Sequence, residues 1–154
     1  GSEMCIRDRY KINLSSIFRG GILLLRKPKI LYYSNGQTQK EKAIEKAAKR
    51  LGADFISISE TDCTQTVGYL AKVKGFPVHK TSILENISAV CQDVMILCYF
   101  PNTRLDLLLA SIRNGETPAV DLKAILTPQN CFWTFSQLYQ ELLEEHLSLF
   151  SNQE

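Results

Sequence analysis

Apolar positions in this chain recur with two periods. Lys29 to Ser34 is a block of β-branched and aromatic residues, which predicts a strand. Asn35-Gly36 ends it with a turn, and Thr38-x-x-Glu41 has the spacing of a capping box. Ala43, Ile44, Ala47, Ala48 and Leu51 then recur at helical spacing with lysines on the opposite face, and Gly52 supplies a stop. Asp54 to Ser59 reads as a second strand, and Val67, Leu70 and Val73 as a short helix within Thr66 to Val73. Lys74 to Ser82, with Gly75 and Pro77, reads as a loop. The order then repeats. Val94 to Phe100 is apolar enough for a strand buried on both faces. Thr103 is placed to cap a helix with Leu105, Leu108, Leu109 and Ile112 inside, stopped by Asn114-Gly115. Val120 to Leu126 is a strand, and Thr134-x-x-Gln137 opens a last helix carrying Leu138, Leu142, Leu143 and Leu147.

Side by side, Ile30 to Tyr33 matches Ile96 to Tyr99, and Thr61-Asp62-Cys63 falls opposite Gln129-Asn130-Cys131. The expected fold is therefore α/β and two-layered. Two duplicated βαβα halves, about 29–73 and 94–150, would join across a pseudo-two-fold into a ferredoxin-like four-stranded sheet with extra helices. The alternative is a doubly wound, all-parallel sheet. Residues 26–150 are expected to form one domain, followed by a tail at 151–154.

Residues 1–25 are set apart as a non-native or disordered leader. Ser2 to Arg9 resembles a translated sequencing adapter, and Arg19-Gly20-Gly21 fits a purine-rich stretch resembling a ribosome-binding site, so native translation is expected to start near Leu24 or Leu25. Charge adds to the separation. Residues 1–24 hold 4 basic and 2 acidic side chains and residues 25–154 hold 14 of each, so the formal +2 comes entirely from the leader. The basic pI is then no argument for nucleic acid. Within the remainder, residues 25–80 carry 11 basic against 5 acidic groups, and residues 81–154 carry 3 against 9. That polarity favours contact of a basic patch with an acidic one. No apolar run nears the length of a membrane helix, and a cytoplasmic location is expected. Five cysteines without a C-x-x-C pair read as free thiols, and Cys63 and Cys131 lack the third ligand that zinc needs.

The stretch Lys123-Ala124-Ile125-Leu126-Thr127-Pro128-x-Asn130-x-x-Trp133, followed by Leu138-Tyr139-x-Glu141-Leu142, resembles the bacterial family called domain of unknown function 3783. The resemblance spans roughly residues 28 to 147 and is loosest in the first half. It implies a small prokaryotic protein and carries no catalytic residue with it.

Candidate chemistry is sparse. Hydrolase, phosphate-loop and H-E-x-x-H motifs are missing from the sequence, and no catalytic residue, cofactor or metal site is assigned. Lys123, Thr127, Asn130, Trp133 and Thr134 form one candidate, a strand-to-helix turn for a small anionic ligand or nucleotide. Against it, Lys123 reads first as a surface lysine, Thr127 and Asn130 as turn residues, Thr134 as a cap and Trp133 as an apolar anchor. Lys72, Lys74 and Lys80, with Tyr69 and Phe76 between, are a candidate nucleic-acid loop that reads also as solvated surface. The leading expectation is a non-catalytic binding or regulatory domain acting as a homo-oligomer or on a protein partner.

Overall fold

A computed structural model of the chain describes residues 27–78 and 89–151. The expected leader at 1–25, His79 and Lys80 of the basic loop, and residues 152–154 of the tail lie outside the described residues. The elements are β1 (Lys29–Tyr33), α1 (Thr38–Arg50), β2 (Asp54–Ser57), a 3-10 turn at Thr61–Thr64, α2 (Val67–Leu70), β3 (Val94–Cys98), α3 (Asn102–Arg113), β4 (Leu122–Ile125), a 3-10 turn at Asn130–Phe132, and α4 (Phe135–Ser151). This is an α/β fold around one mixed four-stranded sheet, ordered β2-β1-β3-β4.

The two central strands are β1 and β3, which run antiparallel with Leu31 opposite Ile96. Each outer strand runs parallel to its inner neighbour, Lys29 beside Asp54 and Val94 beside Leu122. The antiparallel centre rules out the all-parallel alternative. The register also equates Lys29–Tyr33 with Val94–Cys98, so Ile30 corresponds to Met95, one residue off the alignment read from the sequence. The residue matters because a slip of one exchanges the two faces of a strand. Ile30 and Met95 pack in one core cluster, whereas Ile96 packs in the other.

Those two clusters correct the expected two layers to three. Ile30, Tyr32, Met95, Leu97 and Ile125 meet Ile44 and Ala48 of α1 and Leu105, Leu108 and Ile112 of α3. On the other face, Leu31, Val94, Ile96, Leu122 and Ala124 meet Val67 and Leu70 of α2 and Phe135, Leu138 and Leu142 of α4. Helices on both faces leave every residue of β3 and β4 buried. Burying an apolar side chain of this size stabilises by about 2 kcal/mol, so this strand pair anchors the core.

Two predicted caps are absent. α1 starts after Gln37 with no side-chain cap, and Glu41 accepts the Ser57 hydroxyl instead of closing a box with Thr38. α3 begins at Asn102 behind Pro101, with Thr103 inside the helix. The Thr134–Gln137 box does form: Gln137 N–H donates to Thr134 Oγ1 at 3.1 Å, and Thr134 N–H to Gln137 Oε1 at 2.9 Å. Gly52 and Gly115 take positive φ at the helix ends, where a side chain would be strained.

Candidate functional site

The chain leaves β4 through a turn that holds itself together. Thr127 N–H donates to Asn130 Oδ1 at 2.8 Å, and Asn130 N–H donates back to Thr127 Oγ1 at 2.9 Å. The Asn130 amide nitrogen donates to the Ile125 carbonyl at 2.9 Å. Both side chains are 2% exposed, so each of these bonds satisfies a group that water does not reach. The same box stands 68 residues earlier, where Ser59 N–H donates to Asp62 Oδ2 at 2.9 Å and Asp62 N–H donates to Ser59 Oγ at 3.3 Å. The two turns meet at a Thr66–Thr134 bridge. Val67 N–H donates to the Trp133 carbonyl at 2.8 Å and Phe135 N–H to the Gln65 carbonyl at 3.0 Å.

A cleft of about 250 Å3 opens where β3 and β4 end, lined by Val73, Tyr99, Leu126, Thr127, Pro128, Cys131 and Phe132. Three features shape it. Tyr99 sits at φ +60, an uncommon conformation for an aromatic residue, and turns the chain off β3 toward α3. Lys29 lies with its ammonium 5.7 Å from the Tyr99 ring centre and donates to the Ala71 carbonyl at 3.0 Å, tying α2 to this end of the sheet. α2 then stops abruptly. Lys72 N–H donates to the Tyr69 carbonyl and Val73 N–H to the Gly68 carbonyl, a Schellman ending with Lys72 at φ +61. That ending turns Val73 into the cleft. At the mouth, Phe132 is 70% exposed and its ring centre is 5.1 Å from that of Phe76. The Phe76 ring in turn rests on Gly68, where an added Cβ would meet it at 2.8 Å.

The five residues proposed for an anion do not converge. Lys123 alternates with Leu122 and Ala124, so it points toward the α1–α3 layer, away from the cleft. Its side chain is buried, and the ammonium donates to the Val120 carbonyl at 2.6 Å. The surface position expected for it is lost because α1 and α3 cover that face of the sheet. Of the others, Thr127 lines the cleft with its hydroxyl taken by Asn130, Asn130 braces the turn, Thr134 caps α4, and Trp133 packs on the core. Lys72 and Lys74 are exposed.

The thiols here are poor nucleophiles. Burial, with help from the Asp62 and Glu60 carboxylates, pushes the Cys63 thiol up to about 11. Complete burial pushes Cys98 to about 12, partly offset by Lys29, and burial also raises Cys131. At neutral pH all three are protonated, and it is the thiolate that attacks. Among the described residues, no group of three or more His, Cys, Asp or Glu side chains is placed to hold a metal ion.

Sequence reasoning missed the cleft and a polar cluster at the opposite end of the sheet. There the Tyr32 hydroxyl donates to Asp93 Oδ2 at 2.9 Å, and Lys40 meets the same oxygen at 2.7 Å. Burial and the Asp93 carboxylate hold the Tyr32 phenol well above its ordinary range. The signal was a tyrosine directly after the apolar Ile30 and Leu31, since a buried phenol needs a partner.

What these features define is an α/β domain with an apolar cleft at the ends of two parallel strands. Residues 93–149 match the family described as a domain of unknown function (DUF3783). The matched stretch runs from just before β3 into α4, and it includes residues Lys123 to Trp133. No curated protein and no solved structure matches the chain. No described helix is long and apolar enough to cross a membrane.

Proposed function

We propose that this chain is a non-catalytic binding or regulatory domain, residues 26–150 acting as one α/β unit, and that its cleft takes an apolar side chain from a protein partner. The exposed Phe132 ring beside the cleft carries this reading. A large aromatic at the rim of an apolar pocket is the usual anchor of a protein contact. The surrounding chemistry agrees: the polar groups of the turn are bonded to one another and the nearby thiols stay protonated.

A photo-crosslinking amino acid at position 132, compared with one at the exposed Gln137, tests the reading in cells. A discrete crosslinked species from position 132, lost on Leu126→Asp, is the expected result. Equal labelling from both positions would overturn it.

We also infer that the halves are duplicated βαβα units, arranged as a variant of the ferredoxin-like sheet. The Ser59–Asp62 and Thr127–Asn130 boxes, and the matched capping bonds at Thr66 and Thr134, support a common origin.

A further inference from the structure

The sheet separates two helical layers of opposite charge. α1 and α3 together hold 7 basic and 3 acidic side chains. α4, on the far face, holds Glu141, Glu144 and Glu145 with no lysine or arginine. Lys42, Lys46 and Lys49 recur at i, i+4, i+7 and are exposed, as are Glu141 and Glu144. Each charged layer also carries exposed leucine: Leu107 on α3, and Leu147 and Leu149 on α4. Exposed apolar side chains on a charged surface are common to protein interfaces.

With the sheet between them, the two surfaces cannot meet within one copy. A two-fold contact would set like charge on like. We infer that a second copy of this chain docks head-to-tail, its α4 face on the α1–α3 face of the first. This goes beyond the cleft reading and uses none of its residues. Such a contact is heterologous, so it propagates into a ring or an open stack.

Sedimentation of the full chain tests it. In about 20 mM salt the weight-average mass should rise with concentration, and in about 0.5 M salt association should weaken at least tenfold, because these charges are exposed. Lys42→Glu with Lys46→Glu should abolish association, and so should Glu141→Lys with Glu144→Lys. Mixed one to one, the two reversed variants should associate again, since the unaltered α4 face of the first fits the unaltered α1–α3 face of the second. Thermal melts near the parent's would show that both remain folded. A parent that stays monomeric at low salt overturns the inference, as do reversed variants that associate alone or fail to associate when mixed. Phe132→Ser should leave this assembly intact, which separates its failure from that of the cleft.

Discussion

The turns after β2 and β4 share one hydrogen-bonded plan and differ at both of its side chains, Ser59 against Thr127 and Asp62 against Asn130. Asp62 and Asn130 occupy the same place in the same hydrogen-bonded box. Asp62 is partly exposed and bears a charge, whereas Asn130 is buried and neutral. The amide nitrogen of Asn130 adds a donor that reaches the Ile125 carbonyl, and a carboxylate has none to offer. The second turn can therefore sink into the core, because every polar group it takes along has a partner. The segments diverge again after the bridge. α2 ends after four residues and folds Phe76 back onto Gly68, while α4 runs for 17 residues. A cleft bordered by Val73 exists because the first-half helix stops.

The sharpest way to break this comparison is to exchange the two side chains. Asn130→Asp should cost upward of about 3 kcal/mol at pH 7, since it buries a charge and strands the Ile125 carbonyl. Burial would raise the new carboxyl's pKa. The deficit should then shrink as pH falls toward 4, where the buried carboxyl is protonated and the unfolded one about half so. Asp62→Asn should change stability little. Urea titrations of both variants at pH 7 and pH 4 decide, and equal costs would sink the distinction. Next in size, Asn130→Ala should lose about 2–3 kcal/mol by leaving the Thr127 N–H and Ile125 carbonyl unpaired, against less than about 1 for Asp62→Ala.

Buried thiols in the turn after β2 and at the end of β3 add a pH dependence. The folded state holds the Cys63 thiol up to about 11 and Cys98 up to about 12, above their ordinary value, so their contribution is complete at neutral pH. It falls once the unfolded chain begins to ionise its thiols near pH 9, by about 1–2 kcal/mol by pH 10 for Cys98. Unfolding curves from pH 7 to 10 should show the decline, and Cys98→Ala should flatten it. The smallest effect lies at the helix that stops. Lys72→Gly relieves a left-handed residue and should raise stability by about 0.5–1 kcal/mol, read as a shift in Tm.

Much of the fold was legible because local pattern decided it. The strands, the helix faces of Leu105 to Ile112, and the Thr134–Gln137 box all follow from spacing within a few residues. The third layer was not legible, since periodicity within a strand does not tell how many of its faces are covered. Lys123 shows this: alternation assigned it to the correct face, but only α1 and α3 reveal that this face is buried. The cleft was hidden for a different reason. Val73, Tyr99 and Leu126 are far apart in sequence, and the positive φ of Tyr99 has no compositional mark as a glycine would. The Thr38 cap failed because Glu41 had a tertiary partner in Ser57.

The antiparallel centre sets an order of events during synthesis. Of the described strands β1 is made first, yet it belongs in the middle of the sheet. Its edge toward β3 stays unpaired until Val94 to Cys98 have emerged from the ribosome, some 65 residues later. Closing so long a loop is slow compared with forming either half, so β1–β3 docking should limit the folding rate. Until then the backbone of β1 presents unpaired N–H and C=O groups on an open edge, which makes the nascent first half prone to pair with other chains.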